Sequence, residues 1–172
     1  MGCSVTLAGI SSDCLSNKGG VKAVYLANKS DVTSVDLSEN VITGITMNAE
    51  AKFKKYEFRK DTATMTSTLT VGDNGGSNYV STVVAMSFNR MEAAKRLEMN
   101  AMALGELVAL VEDRNGTVFY LGYDEAVKAS NGTGETGDAR TSLNQYTIEL
   151  TDESDLFPYT VAPDVIAKVT AA

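Results

Sequence analysis

The segment TATMTSTLTVGDNGGSNYVSTVVAMSF, residues 62–88, constrains the fold more than any other part of the chain. Threonine occupies every second position from Thr62 to Thr70, and a β-branched residue at this period favours an extended strand with one polar face. Gly72–Asn78 is rich in residues that tolerate turns, and Tyr79–Phe88 alternates again. The sequence therefore predicts a long antiparallel hairpin. Its returning strand has a mostly apolar face made of Val80, Thr82, Val84, Met86 and Phe88.

The outgoing strand of this hairpin has two different faces. The threonine side chains keep one face polar without adding charge, and an exposed sheet face is the simplest interpretation. The opposite face is predicted to turn toward the core through Ala63, Met65, Leu69 and Val71.

The other short runs also read as strands. They are rich in β-branched and aromatic residues and are bounded by turn signals, of which Asn115-Gly116 is the clearest hairpin signal. The predicted strands cover residues 21–27, 32–37, 41–47, 52–59, 107–111, 117–123 and 143–150.

One helix is predicted after the hairpin, where the apolar period changes from 2 to 3.6. Asn89 is a good N-cap, Glu92 completes a capping-box pattern, and Gly105 supplies the stop, so the helix is expected at about residues 90–104. Its apolar side is predicted to consist of Met91, Ala94, Leu97, Ala101 and Leu104.

The expected fold class is mainly β: an antiparallel β-sandwich or small barrel with one flanking α-helix. A chain of 172 residues fits a single domain, here 1–172. We expect an N-terminal arm over 1–20, the sandwich with its inserted helix over 21–151, and an extended C-terminal arm over 152–172. The last segment carries both prolines of the chain.

Composition argues against several classes of function. The chain has no histidine, which removes the usual general base near neutral pH and the commonest metal ligand. Its formal charge of -7 disfavours gripping a nucleic acid. No nucleophile elbow, P-loop or zinc-protease motif occurs. We therefore predict no enzyme and no catalytic, cofactor or metal site. Cys3 and Cys14 lack zinc-site spacing and are interpreted as a buried or incidental pair, or as a bridge that pins the arm.

Two weak motifs lie in the polar stretch Asp124–Thr141, which is expected to be a mobile loop. Gly132, Gly134 and Gly137 have GxGxxG spacing, but they precede a strand instead of opening a helix, so a dinucleotide site is disfavoured. Four carboxylates of this stretch are calcium ligands by type, but the EF-hand order is absent. They are Asp124, Glu125, Glu135 and Asp138.

The N-terminus supplies a rival hypothesis. MGCSVT matches the N-myristoylation pattern, and Cys3 stands where a second lipid anchor would attach. No polybasic patch supports this interpretation. Nothing in the chain is long and apolar enough to cross a bilayer, and no secretory signal opens it, so synthesis in the cytoplasm is expected.

The order of segments carries a resemblance to a known class of proteins. FRKDTATMTSTLTV, a Gly/Asn loop, YVSTVVAMSFNRMEAAKRLEMNAMALGELVALVEDRNGTVFYLGYDEAV and NGTGETGDAR follow one another, and GCSVTLAGISSDCLSNKGGVKAVYLAN opens the chain. This arrangement resembles virion structural proteins of phages infecting Bacteroides-like hosts. Its strand-hairpin-helix-hairpin order is similar to that of tail-tube proteins.

The resemblance implies a tail-tube subunit whose sheets join around a central channel. The expected partners are copies of itself, in stacked hexameric rings, and other tail or connector proteins. DNA would pass through the channel without specific binding, no membrane would be involved, and the protein would reside in the virion tail after synthesis in the host cytoplasm. The alternatives are a ring of the head-tail connector or tail hub, a capsid decoration or fibre-attachment protein, and a lipid-anchored or ligand-binding domain.

Site residues follow from this implication as hypotheses. A channel or inter-subunit sheet face is expected at Thr62, Thr64, Thr66, Thr68 and Thr70. Assembly contacts are expected at Asp73, Asn74, Gly75, Gly76, Ser77, Glu135 and Asp138.

Overall fold

The protein folds into two β-sheets with two α-helices in the described part of the chain, which confirms the predicted mainly β class with a sandwich architecture. The structure is a computed structural model that describes residues 4–73 and 76–170. The helices are α1 Ala93–Leu104 and α2 Pro163–Val169. The strands are β1 Val21–Asn28, β2 Val32–Ser38, β3 Val41–Met47, β4 Lys54–Glu57, β5 Ala63–Thr70, β6 Tyr79–Asn89, β7 Leu107–Asp113, β8 Val118–Leu121, β9 Lys128–Glu135, β10 Gln145–Ser154 and β11 Tyr159–Val161.

The larger sheet has seven strands in the order β2-β3-β11-β8-β7-β1-β4. All of its neighbours are antiparallel except β11 and β3, which run parallel. At its centre, Leu107–Val111 of β7 is buried at every position, because both faces of the sheet are covered. The predicted turn at Asn115-Gly116 joins β7 to β8, with Gly116 at φ +88°.

The smaller sheet has four antiparallel strands in the order β5-β6-β10-β9, and one of its faces packs on the larger sheet. The predicted inner face of β6 is confirmed, since Val80, Thr82, Val84 and Met86 are buried and Phe88 packs against the core. The core between the sheets also contains side chains of β1, β7 and β10.

α1 lies where a helix was predicted, but the predicted start and buried face are wrong. Asn89 still belongs to β6, and the helix starts after Glu92, which acts as N-cap without a side-chain bond. Leu97 and Leu104 are 67% and 89% exposed, whereas Met102 is only 3% exposed.

The contact face of α1 is displaced by one residue from the predicted one, about 100° around the helix. Met102 and the partly buried Met99 pack on the core, and the Tyr56 hydroxyl donates to Glu98 Oε2 at 2.7 Å. The sandwich offers the helix only a narrow contact, so the leucine side remains open.

The C-terminal segment is not the extended arm that was expected. β10 continues to Ser154, β11 inserts between β3 and β8, and α2 follows with Pro163 in its first turn. α2 covers the outer face of the larger sheet and forms a second core, in which the Phe53 amide donates to the Val169 carbonyl at 2.9 Å. This core contains Ile42, Phe53, Val108, Leu110, Tyr120, Val161, Val165 and Val169.

Residues 4–19 form neither a helix nor a strand and are exposed. The end of this segment is held by Asn115, whose Oδ1 accepts from the Lys18 amide at 2.8 Å. Cys14 is exposed, so the prediction of a buried cysteine is wrong for this residue, while Cys3 and Gly2 of the lipidation motif lie outside the described residues. Across the described ranges, no helix has the length and apolar character needed to span a membrane.

Candidate assembly surface

β5 is an edge strand, so one side of its backbone has no partner strand within the described chain. The Ser87 amide donates to the Thr62 carbonyl at 3.1 Å, and the register continues unbroken from Ala63 opposite Met86 to Thr70 opposite Tyr79. In an antiparallel ladder, hydrogen-bonded and non-bonded pairs alternate. The backbone groups of the threonines therefore form hydrogen bonds with β6. The backbone groups of the intervening residues point to the open edge. These residues are Ala63, Met65, Ser67 and Leu69.

The threonine side chains lie on the outer face of the smaller sheet. Thr64, Thr66, Thr68 and Thr70 are exposed. Thr62 precedes the strand, is half-buried, and donates from its hydroxyl to the Arg59 carbonyl at 2.8 Å. The simplest interpretation of the pattern, an exposed polar sheet face, thus describes four of the five residues.

The same outer face continues across the neighbouring strands. The register places Ala85 between Thr64 and Glu149, and Val83 between Thr66 and Thr151. The face is therefore built from small and β-branched side chains. Its charged groups on β10 are Glu149 and Glu153, and β9 contributes Lys128, which pairs with Glu106 at 3.4 Å.

The predicted inner face of β5 is only half correct. Ala63 is buried and Met65 packs against the core, but Leu69 and Val71 are 47% and 65% exposed. Val80 lies opposite Leu69 and is buried, so at this end the core reaches β6 but not the edge strand. An apolar strip is consequently left open beside the hairpin tip. Its members are Leu69 and Val71, whereas Tyr79 lies opposite Thr70 on the threonine face and is 43% exposed.

The stretch Asp124–Thr141 is not the loop that was expected, because it contains β9, the opposite edge of the same sheet. Gly132 and Gly134 lie within that strand, which rules out the turn that a GxGxxG site needs. At Gly134 a side chain would collide with the Tyr146 ring, 2.9 Å from the added Cβ. Sequence reasoning missed β9 because Lys128–Glu135 has almost no apolar residue, and its backbone bonds to β10 hold it in place.

The two groups of predicted assembly contacts are not brought together. The hairpin tip with Asp73, Gly76 and Ser77 follows the Thr70–Tyr79 end of the sheet, whereas Glu135 pairs with Gln145 at the other end. The 11 residues of β6 separate these ends by about 33 Å.

The local contacts at the two ends differ. Asp73, Gly76 and Ser77 are exposed, and Asn74 and Gly75 lie outside the described residues. Glu135 accepts from Gln145 Nε2 at 2.9 Å. Asp138 accepts from the Ser142 hydroxyl at 3.0 Å.

The carboxylates of Asp124, Glu125, Glu135 and Asp138 are not gathered for a metal ion, since no group of three or more potential ligands is close enough anywhere in residues 4–73 and 76–170. Comparison with profiles of known protein families, with curated proteins and with solved structures finds no match to the chain.

Proposed function

We propose that the protein is a structural subunit that joins copies of itself into a ring through the two edges of the smaller sheet, as a phage tail-tube subunit would. The observation that carries this proposal is that β5 and β9, at opposite edges of one sheet, are both without a partner in the described chain. Exposed sheet edges pair readily with other strands. A ring satisfies both edges of every copy.

The number of strands in this sheet favours closure of the ring. Four antiparallel strands alternate in direction, so β5 and β9 run in opposite directions. When a copy is rotated about a ring axis, its β9 arrives beside β5 of the next copy in antiparallel orientation. The joined sheet is then antiparallel throughout, with no change of direction at the subunit boundary.

The outer face of the smaller sheet suits the wall of a channel that conducts DNA. Threonine, serine and small side chains present no strong attraction to phosphate, and Glu149 and Glu153 repel it. The apolar face of the same sheet is already used in the subunit core. In this proposal the polar face lines the channel, and the seven-stranded sheet lies on the outside of the ring.

The positions of the predicted contacts suit stacking of rings. The hairpin tip and the β9–β10 connection lie at opposite ends of the smaller sheet, so each ring would meet its neighbours through different segments. The open apolar strip of Leu69 and Val71 lies at the hairpin-tip end of the sheet.

The decisive substitution is Leu69→Pro, with Leu69→Ala as its matched control. Proline removes the amide of residue 69, which points to the open edge and not to β6, and proline is tolerated on edge strands. Both variants lose the leucine side chain, but only proline blocks pairing by this amide. We expect Leu69→Ala to assemble and Leu69→Pro to remain monomeric.

Assembly is measured by sedimentation velocity over a range of protein concentrations and by negative-stain electron microscopy. Wild-type protein should form closed rings or stacked tubes, and both variants should melt within a few degrees of each other by circular dichroism. A wild-type protein that stays monomeric at high concentration contradicts the proposal. A species that stops at twice the 18.3 kDa chain mass contradicts it as well, because it indicates a two-fold pair of β5 strands.

A further inference from the structure

A second feature lies away from the sheet edges, in a cavity between the end of β10 and the turn after β8. The cavity has a volume of about 230 Å³ and is lined by acidic and aromatic side chains. Tyr120, Tyr123 and Tyr159 form one wall, with ring centroids 6.4 Å apart for the first pair and 5.0 Å for the second. Asp124, Asp152 and Asp155 supply three carboxylates. None of the described residues that line it is basic.

Asp152 is the group that points to a ligand. Its side chain is 2% exposed, and its Oδ1 accepts from the Gly122 amide at 3.2 Å. The other carboxyl oxygen has no hydrogen-bond partner among the described residues, although it is not sealed from the cavity. Burial raises the pKa of Asp152 to about 6, so the group is ionised at neutral pH, with one hydrogen bond from the described residues.

Tyr120 also contributes a polar group to this cavity. Its side chain is 2% exposed, and its hydroxyl makes no hydrogen bond within the described ranges although it borders the cavity. Burial and the negative charge of Asp152 raise the pKa of Tyr120 to about 12, which keeps the hydroxyl protonated. Two polar groups from different sheets thus face the same cavity without satisfying each other.

Lys29, whose ammonium group acts on Asp152, is already bound elsewhere. Lys29 Nζ donates to the Gly122 carbonyl at 2.8 Å and to the Asp124 carbonyl at 3.1 Å, and Lys29 does not line this cavity. It lowers the pKa of Asp152 only as a minor cause, behind burial and the Gly122 hydrogen bond. The described residues that line the cavity therefore carry negative charge and no positive charge.

We propose that this cavity binds an organic cation, an alkylammonium or alkylguanidinium group. The carboxylates are too dispersed to gather a metal ion in the described chain, but they suit a cation whose charge and donors are spread along a flexible chain. The tyrosine rings add cation–π attraction, which operates within roughly 6 Å of a ring centroid. This site lies at neither edge of the smaller sheet, so the proposal does not rest on pairing of the sheet edges.

The test uses n-butylguanidinium and n-butylammonium chloride as probes, with sodium chloride at equal ionic strength as the reference. Binding is followed at pH 7.5 by NMR through the amides of Gly122 and Asp155, which donate to Asp152 and Asp124. We expect saturable shifts of both signals with at least one probe and none with sodium.

Asp152→Asn retains an oxygen for the Gly122 amide but removes the charge, and it should weaken binding roughly tenfold or more. The matched control is Glu153→Gln, which removes the same charge from the next residue of β10 on the opposite face and should change affinity less than about twofold. Asp155→Asn is a second variant, at an exposed position where folding is not at risk, and should weaken binding measurably.

Lowering the pH to 5 should also weaken binding, since Asp152 becomes neutral. The charged groups that act on Asp152 are Lys29, Asp124 and Glu125. Sedimentation of the wild-type protein with and without probe identifies the source of the cation. Dissociation of assemblies by the probe indicates a lysine or arginine of a second copy, and unchanged assembly indicates a free cation such as a polyamine. No saturable shift, or equal affinity in wild type and Asp152→Asn, would overturn the proposal.

Discussion

Replacing Asp152 with asparagine should stabilise the protein at neutral pH and have little effect in acid. Burial is the main cause that raises the pKa of this carboxyl to about 6 from its ordinary value near 3.8. The folded state therefore resists ionisation of Asp152, and stability is lost as the pH rises from about 4 to 6. A difference of about 2 pKa units corresponds to at most roughly 3 kcal/mol at pH 7, and less than about 1 kcal/mol remains at pH 4.

The measurement is urea unfolding of Asp152→Asn and wild-type protein between pH 4 and pH 8, followed by far-ultraviolet circular dichroism. The gain in the free energy of unfolding should grow with pH and level off above pH 7. Glu153→Gln is the control, since this neighbour is exposed on β10 and should show no such dependence. An equal free-energy difference at pH 4 and pH 8 would show that Asp152 is not a buried ionised carboxylate.

Two further substitutions test the packing of the subunit by the same unfolding assay. Met102→Ala should lower the free energy of unfolding by about 2 to 5 kcal/mol. Leu104→Ala, on the open side of α1, should lower it by less than about 0.5 kcal/mol. Equal losses would contradict the assignment of Met102 to the buried face of the helix. Gly122→Ala should cost more than Gly116→Ala, because both glycines have positive φ but only at Gly122 does an added Cβ meet another side chain, Val108, at 3.0 Å. Equal costs would mean that this contact relaxes freely.

The strands that sequence reasoning found are those whose side chains meet the core. β6 was predicted with its correct inner face because Val80, Val84 and Met86 alternate with small and polar residues, and a period of 2 has one physical interpretation. The β7–β8 hairpin followed from Asn115-Gly116 in the same way. Local chemistry was sufficient in both cases.

The errors arose where the partner surface decides the outcome. The apolar pattern of α1 indicates a helix, but the sandwich receives only Met99 and Met102, and a one-residue displacement leaves Leu97 and Leu104 open. Which side of a helix finds a partner depends on the neighbouring surface, and its own sequence does not contain that information.

The C-terminal helix could have been predicted from the sequence. Val165 and Val169 stand four residues apart, and Pro163 suits the first turn of a helix, where its missing amide is harmless. The prediction of an extended arm over 152–172 gives more weight to the two prolines than to this spacing. β9 was less accessible, because its glycine- and polar-rich residues are held in the sheet by the backbone of β10.

The buried run Leu107–Val111 in β7 has a consequence for how the molecule unfolds. Ala109 and Val111 face the core between the sheets, whereas Val108 and Leu110 face the core beneath α2. One strand therefore contributes to both cores. Opening either core would expose about half of the buried side chains of β7. We expect the two cores to unfold in a single cooperative transition, so that a destabilising substitution in α2 also destabilises the smaller sheet.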